Sequence, residues 1–151
     1  MALNFMKYFT RREKSLEGFI CAIEKTGATH VRIEPFRNNE GDETSMTGGL
    51  FACSYGIKFI SQAPNGRPII FEEKYGGHDA LPADPGESNK YTARCFITAE
   101  DRLQAITSRL PKVKACIISE AGEMDKKSLN NWRKHAMRHK LRPFTSGQNL
   151  T

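Results

Sequence analysis

Apolar positions recur along the chain with two different periods, and the points where the period changes divide it into elements. Leu16, Phe19, Ile20 and Ile23 fall at i, i+3, i+4 and i+7, the single stripe of an amphipathic helix. Thr10-Arg11-Arg12-Glu13 has the spacing of a capping box at its start, Asn4 offers an earlier cap, and Gly27 is placed to end it in a left-handed turn. Period two follows. Val31 and Ile33 alternate within His30–Glu34. Phe51, Cys53, Tyr55, Ile57 and Phe59 alternate against Ala52, Ser54, Gly56 and Lys58. After Pro64-Asn65-Gly66, the residues Ile69, Phe71 and Tyr75 do the same, so the two runs predict a β-hairpin closed by a tight Asn-Gly turn. Tyr91, Ala93, Cys95 and Ile97 give a fourth period-two run.

The helical period then returns. Thr98 can cap a helix with Leu103, Ile106 and Leu110 on its stripe and Pro111 just beyond it. Val113–Ile118 is almost continuously apolar, which predicts a strand buried on both faces, parallel to Tyr91–Ile97 through a right-handed crossover. A last helix runs from Lys126 to about Leu141, capped by Asp125 and stopped by Arg142-Pro143. The polar connections Asn38–Gly49 and Gly76–Lys90 are long for a compact domain. The expected architecture is two-layer α+β: a mixed, mainly antiparallel sheet of four or five strands, with about three helices on one face. It forms a single domain over residues 1–143, with a flexible tail at 144–151.

Composition narrows the class. At 151 residues with 38% hydrophobic content, the chain is long enough for one core without a disulfide or metal staple. No apolar run has the ~20 residues of a membrane span. Met1 to Thr10 holds Phe5, Met6, Tyr8 and Phe9 but no small-residue cleavage site, so no secretory leader is expected. Cys21, Cys53, Cys95 and Cys116 form no C-x-x-C pair, and each sits in an apolar run. They read as free thiols of a reducing compartment, which makes the cytoplasm the expected location.

Charge changes the picture more. The chain carries 23 basic and 17 acidic residues. Seven of the basic ones are Lys126, Lys127, Arg133, Lys134, Arg138, Lys140 and Arg142, and no Asp or Glu follows Asp125. Taking those seven away leaves 16 basic against 17 acidic, so the whole excess belongs to the last helix and its exit. Leu129, Trp132 and Ala136 make a narrow docking stripe, expected to face the sheet, and most of the cations spread over the opposite half. A one-signed helix without compensating i,i+4 carboxylates repels itself. An anionic partner relieves that, and nucleic acid of either type is the expected one. An acidic protein or an anionic membrane surface fits the same charge. Arg11 and Arg12 are possible extensions of the patch.

Three constellations carry chemistry. His135 and His139, at i and i+4, have the spacing of two metal ligands but no accompanying Glu or Cys pair, so no metal is expected there. Gly76-Gly77-His78-Asp79 puts an imidazole and a carboxylate in one loop, the raw material of acid–base work. Glu72-Glu73-Lys74 closes the second hairpin strand, with Glu72 and Lys74 on one face and Glu73 on the other. No phosphate-binding glycine loop is present.

An E-x-K on the third strand, in the order helix, three strands, helix, strand, resembles the PD-(D/E)XK nuclease-like family over roughly residues 10–118. The resemblance implies a Mg²⁺-dependent nuclease in which Glu72 and a second carboxylate hold the metal and Lys74 assists the attacking water. The chain departs from the pattern where the family has its Asp. The opposing strand, Phe51 to Lys58, contains no carboxylate, and the nearest candidate is Asp42. Sequence therefore supports a nucleic-acid-binding domain without a cofactor as the first expectation. A nuclease using Asp42, Glu72 and Lys74 with Mg²⁺, or a non-enzymatic protein-interaction module, is the alternative.

Overall fold

The structure is a computed structural model that describes residues 10–38, 54–75 and 85–145. Its elements follow in the order β1 (Arg11–Arg12), α1 (Leu16–Thr26), β2 (His30–Asn38), β3 (Ser54–Gln62), β4 (Pro68–Tyr75), α2 (Pro85–Arg109), β5 (Lys114–Ser119), β6 (Gly122–Glu123) and α3 (Lys126–Arg138). The sheet is mixed and six-stranded, in the order β1-β4-β3-β2-β5-β6, so the expected α+β fold holds with two short edge strands added.

Local chemistry accounts for most of these boundaries. α1 begins at Ser15, whose hydroxyl accepts from the Gly18 amide at 3.0 Å, and not at Thr10. The Thr10–Glu13 stretch goes into β1 instead, where Glu13 N–H donates to the Ile70 carbonyl. Gly27 ends α1 as expected, at φ 78 with its N–H on the Ile23 carbonyl. The hairpin between β3 and β4 is wider than a two-residue turn. Gly66 alone is left-handed, Asn65 keeps an ordinary φ, and its side chain accepts from Arg67 N–H.

Period-two alternation places Val31, Ile33, Ile57, Phe59, Ile69 and Phe71 on one face of the sheet, all buried. There Phe59 lies 5.9 Å from Phe19 of α1 and 5.4 Å from Phe71, and Tyr55 stacks on Tyr91 of α2 at 4.9 Å. The opposite face carries Arg32, Glu34, Lys58, Ile60, Ile70 and Glu72, half-buried or exposed. Gly56 lies on that side, opposite Phe36. A Cβ at Gly56 would come within 2.5 Å of both the Glu73 carbonyl and the Phe36 ring. Gly56→Ala is therefore expected to cost about 1–3 kcal/mol by overpacking, read as a lower urea midpoint with unchanged slope.

The strand expected at Tyr91–Ile97 does not exist. The segment is the middle of α2, a single 25-residue helix that also takes in the end of the long connection before it. Its buried positions are Ala93, Cys95, Phe96, Thr98, Ala99, Arg102 and Ile106, a helical spacing in which two of the seven are polar. The apolar signal of that stripe is broken, and a four-member period-two run outcompeted it. Without that strand, β5 pairs parallel with β2, Val31 opposite Ala115 and Ile33 opposite Ile117. Only Ile117 of β5 is fully buried, and Cys116 and Ile118 on the other face are half-buried, so the strand is not buried on both faces.

α3 keeps its expected cap: Asp125 accepts from Ser128 N–H at 2.8 Å, and this backbone bond holds the carboxyl below its ordinary range. The helix ends before Leu141. Lys140 takes φ 56, with Lys140 N–H on the Met137 carbonyl and Leu141 N–H on the Ala136 carbonyl, a Schellman closure with lysine where glycine is usual. The docking stripe meets α2 and not the sheet: Trp132 packs 5.4 Å from Phe96, and Ala136 is buried. The chain then returns to the core. Phe144, the first residue of the expected tail, is 7% exposed, and residues 146–151 lie outside the described residues. Cys95 is buried, which pushes its thiol up to about 12; Cys21 and Cys116 are half-buried free thiols, and Cys53 lies outside the described residues. Among the described residues no helix is long and apolar enough to cross a membrane.

Candidate nucleic-acid interface

Because Trp132 packs on α2, Leu129 packs against the core and Ala136 is buried, the orientation of α3 is fixed. Lys127, Asn131, Lys134 and Arg138 recur at intervals of four, three and four residues. At about 100° per residue they fall within a stripe roughly 60° wide, directly opposite the docked side. All four are exposed, as are Lys126, Lys140 and Arg142. Met137, 71% exposed, lies at the margin of the stripe.

Arg133 stands apart from the other six cations. Its guanidinium forks onto both carboxylate oxygens of Glu100 on α2, with Nε to Oε1 at 3.1 Å, and also donates to Asn130. It holds α3 against α2, so the free positive surface is narrower than the sequence suggests. Arg142 is tied by its backbone, the carbonyl accepting from Arg94 Nε at 2.8 Å, which leaves its side chain outward. Arg11 and Arg12 lie on β1 at the sheet edge beside β4, where Arg11 pairs with Glu13.

His135 lies edge-on to Trp132 at 5.9 Å and is tilted against His139 at 4.6 Å. His135 Nε2 is buried with no hydrogen-bond partner. Its burial, and then the positive charge of His139, Arg138 and Lys90, lower its pKa below the ordinary 6.5. The folded state therefore binds this proton more weakly than the unfolded one does. Its contribution to stability is complete above about pH 6.5 and declines as pH falls through that value toward the lower folded pKa. Urea midpoints measured from about pH 8 to pH 5 are expected to fall less in His135→Gln than in the wild type.

The E-x-K residues are brought together as expected: Glu72 and Lys74 share the face of β4 that points away from the core. Across the sheet, Glu72 is opposite Lys58, and Lys58 is opposite Glu34, which also receives Arg32 Nε at 3.1 Å. That row alternates in sign. Asp42, His78 and Asp79 lie outside the described residues. Among the described residues no three His, Cys, Asp or Glu side chains gather where they could hold a metal. The chain order of helix, three strands, helix, strand is present, but topology alone specifies no chemistry.

The most elaborate polar arrangement is one the sequence analysis missed. Glu73 faces the core, 2% exposed, and takes a bidentate pair from Arg102, Nε to Oε1 and Nη2 to Oε2, both at 2.9 Å. Tyr75 donates its hydroxyl to Glu73 Oε2 at 2.8 Å, and Arg102 also reaches Asp101 and the Phe144 carbonyl. Burial alone would draw the Arg102 pKa down. The hydrogen bonds and charge of Glu73 outweigh it and hold the guanidinium protonated. Burial, then the Glu73 carboxylate, push the Tyr75 phenol upward. Above the pair lies Phe144, stacked on Tyr75 at 4.0 Å, with the Arg94 guanidinium 3.9 Å from its ring centroid and its N–H on Thr98 Oγ1. The signal was present: Glu73 is in phase with Ile69, Phe71 and Tyr75, and Arg102 is in phase with Ala99 and Ile106. Two opposite charges each occupied an apolar position.

Compared with known proteins, the chain matches no family model, no curated protein and no solved structure.

Proposed function

We propose that the protein binds nucleic acid through the outer stripe of α3, with Lys127, Lys134 and Arg138 contacting phosphates and Lys126, Lys140 and Arg142 flanking them. The observation that carries this reading is the stripe itself: cations on the side directly opposite the docked residues, in a segment without a single carboxylate after Asp125. Each cation seated on a phosphate releases condensed counterions, so affinity falls steeply with salt. Asn131, within the stripe, supplies an amide suited to phosphate, sugar or base edges.

The test is fluorescence polarisation with labelled duplex DNA, single-stranded DNA and RNA, each titrated at low and near-physiological salt. The triple variant Lys127→Glu, Lys134→Glu, Arg138→Glu is expected to abolish binding while circular dichroism stays that of the wild type. Neutral replacements at the same three positions are expected to reduce the slope of log affinity against log salt by about 2–3. Arg133 is left intact, because its bond to Glu100 supports the helix. Wild-type protein that ignores all three probes at low salt, or a triple variant of undiminished affinity, overturns the proposal.

A further inference from the structure

α2 and α3 leave a cleft beside their contact, with a volume of about 250 Å³. Its α2 wall is the row Glu100, Asp101 and Gln104. Its other wall is the row Arg133, Met137 and Leu141, spaced every four residues along α3 and its exit. That second row runs between the docked side of α3 and its outer stripe, so the cleft opens beside the exposed cations. Met137 forms the lip, and among the described residues it is the one large hydrophobic side chain left exposed.

The polar groups of the cleft are unequally engaged. Glu100 is forked by Arg133, which neutralises it. Asp101 accepts from Arg102 Nη1 on Oδ2 at 2.8 Å, and its side chain is 55% exposed. A carboxylate offers about four acceptor positions, so Asp101 has capacity left for a ligand that brings donors. Gln104, one turn further along α2, is exposed.

Building on phosphate binding by the outer stripe of α3, we infer that the adjacent cleft receives one unpaired base of a single-stranded nucleic acid, with guanine favoured. Charge sorts the two parts of such a ligand: the cations outside take the backbone, and the carboxylates inside turn phosphate away. At about 250 Å³ the cleft is smaller than the roughly 300–1,000 Å³ of drug-sized ligand sites, and it suits a single ring system. The Met137 thioether is a soft partner for a ring face, and the guanidinium plane of Arg133 is a second. Edge chemistry selects the base. Guanine presents two adjacent donors, N1–H and the N2 amino group, which Asp101 accepts as a carboxylate accepts the fork of an arginine, while the Gln104 amide serves O6. Adenine and cytosine set an amino donor beside a bare ring nitrogen, which repels the second carboxylate oxygen. In a duplex these edges are consumed by pairing, so paired bases are excluded.

Fluorescence polarisation at low salt tests this with short labelled strands of abasic deoxyribose phosphate, either wholly abasic or carrying one central base. The central-guanine strand is expected to bind about tenfold more tightly than the wholly abasic one, and more tightly than strands with adenine or cytosine. Asp101→Asn is expected to abolish the advantage of guanine over adenine. Met137→Ser is expected to shrink the advantage of every base over the abasic strand. Circular dichroism and thermal melts establish that both variants are folded. Strands with a base that bind no better than the wholly abasic one overturn the inference and leave phosphate binding by α3 standing. So does a folded Asp101→Asn variant that keeps the full guanine preference. Binding of no strand at all removes the function of the stripe and the base site with it.

Discussion

Arg102→Met is expected to lower stability by about 3–5 kcal/mol, because it strands the Glu73 carboxylate in the core without a counter-charge. With Arg102 and Glu73 side chains only 7% and 2% exposed, water has little access to compensate. The Tyr75 hydroxyl remains on Glu73, but the Phe144 carbonyl also loses its donor. Glu73→Leu is expected to cost a similar amount from the other side. The Arg102→Met/Glu73→Leu double variant removes both charges and is expected to recover much of either loss, since a well-packed apolar pair often equals a buried ion pair. Urea denaturation of the four proteins yields the coupling directly. Losses that simply add would show that the two residues do not act as a pair.

The second large effect belongs to Phe59, fully buried on β3 between Phe19 and Phe71. Phe59→Ala removes the ring that joins α1 to the centre of the sheet. It is expected to cost about 3–5 kcal/mol, through lost transfer energy and the cavity left behind. Since each kcal/mol moves the melting point of a chain this size by about 2–4 °C, a drop of roughly 6–20 °C should appear by calorimetry. Phe59→Leu, which fills more of the space, is expected to lose much less. Near-equal melting points for the Ala and Leu variants would mean that the ring is not packed as described.

Much of this architecture was legible in the chain because its signals are local. The stripe of α1, the alternation of β3 and β4, the Gly27 stop and the Asp125 cap each depend on residues within a few positions of one another. The basic excess of α3 was equally plain, being a matter of counting. What escaped is non-local. α2 was split in two because its buried side is completed by Thr98 and Arg102, which bond to Phe144 and Glu73, far away in sequence. Ser15 displaced Thr10 as a cap because Thr10–Glu13 had a competing partner in β4. Arg133 looked like one cation among seven, and only the approach of Glu100 from α2 sets it apart. The candidate interface was thus visible as a charge count before its free members were known.

Phe144 also bears on the order in which the protein is made. Translation releases the β2–β3–β4 meander before α2, and its pairings are short in sequence, so it can form early. β5 must wait for α2 before it can lie beside β2. Without Phe144 the Glu73–Arg102 pair keeps its own two bonds, yet Arg102 Nη2 lacks its carbonyl, Thr98 Oγ1 lacks the Phe144 amide, and Tyr75 lacks its stacked ring. Phe144 is thus a latch over the middle of α2, closing on Arg102, Thr98 and Tyr75 together.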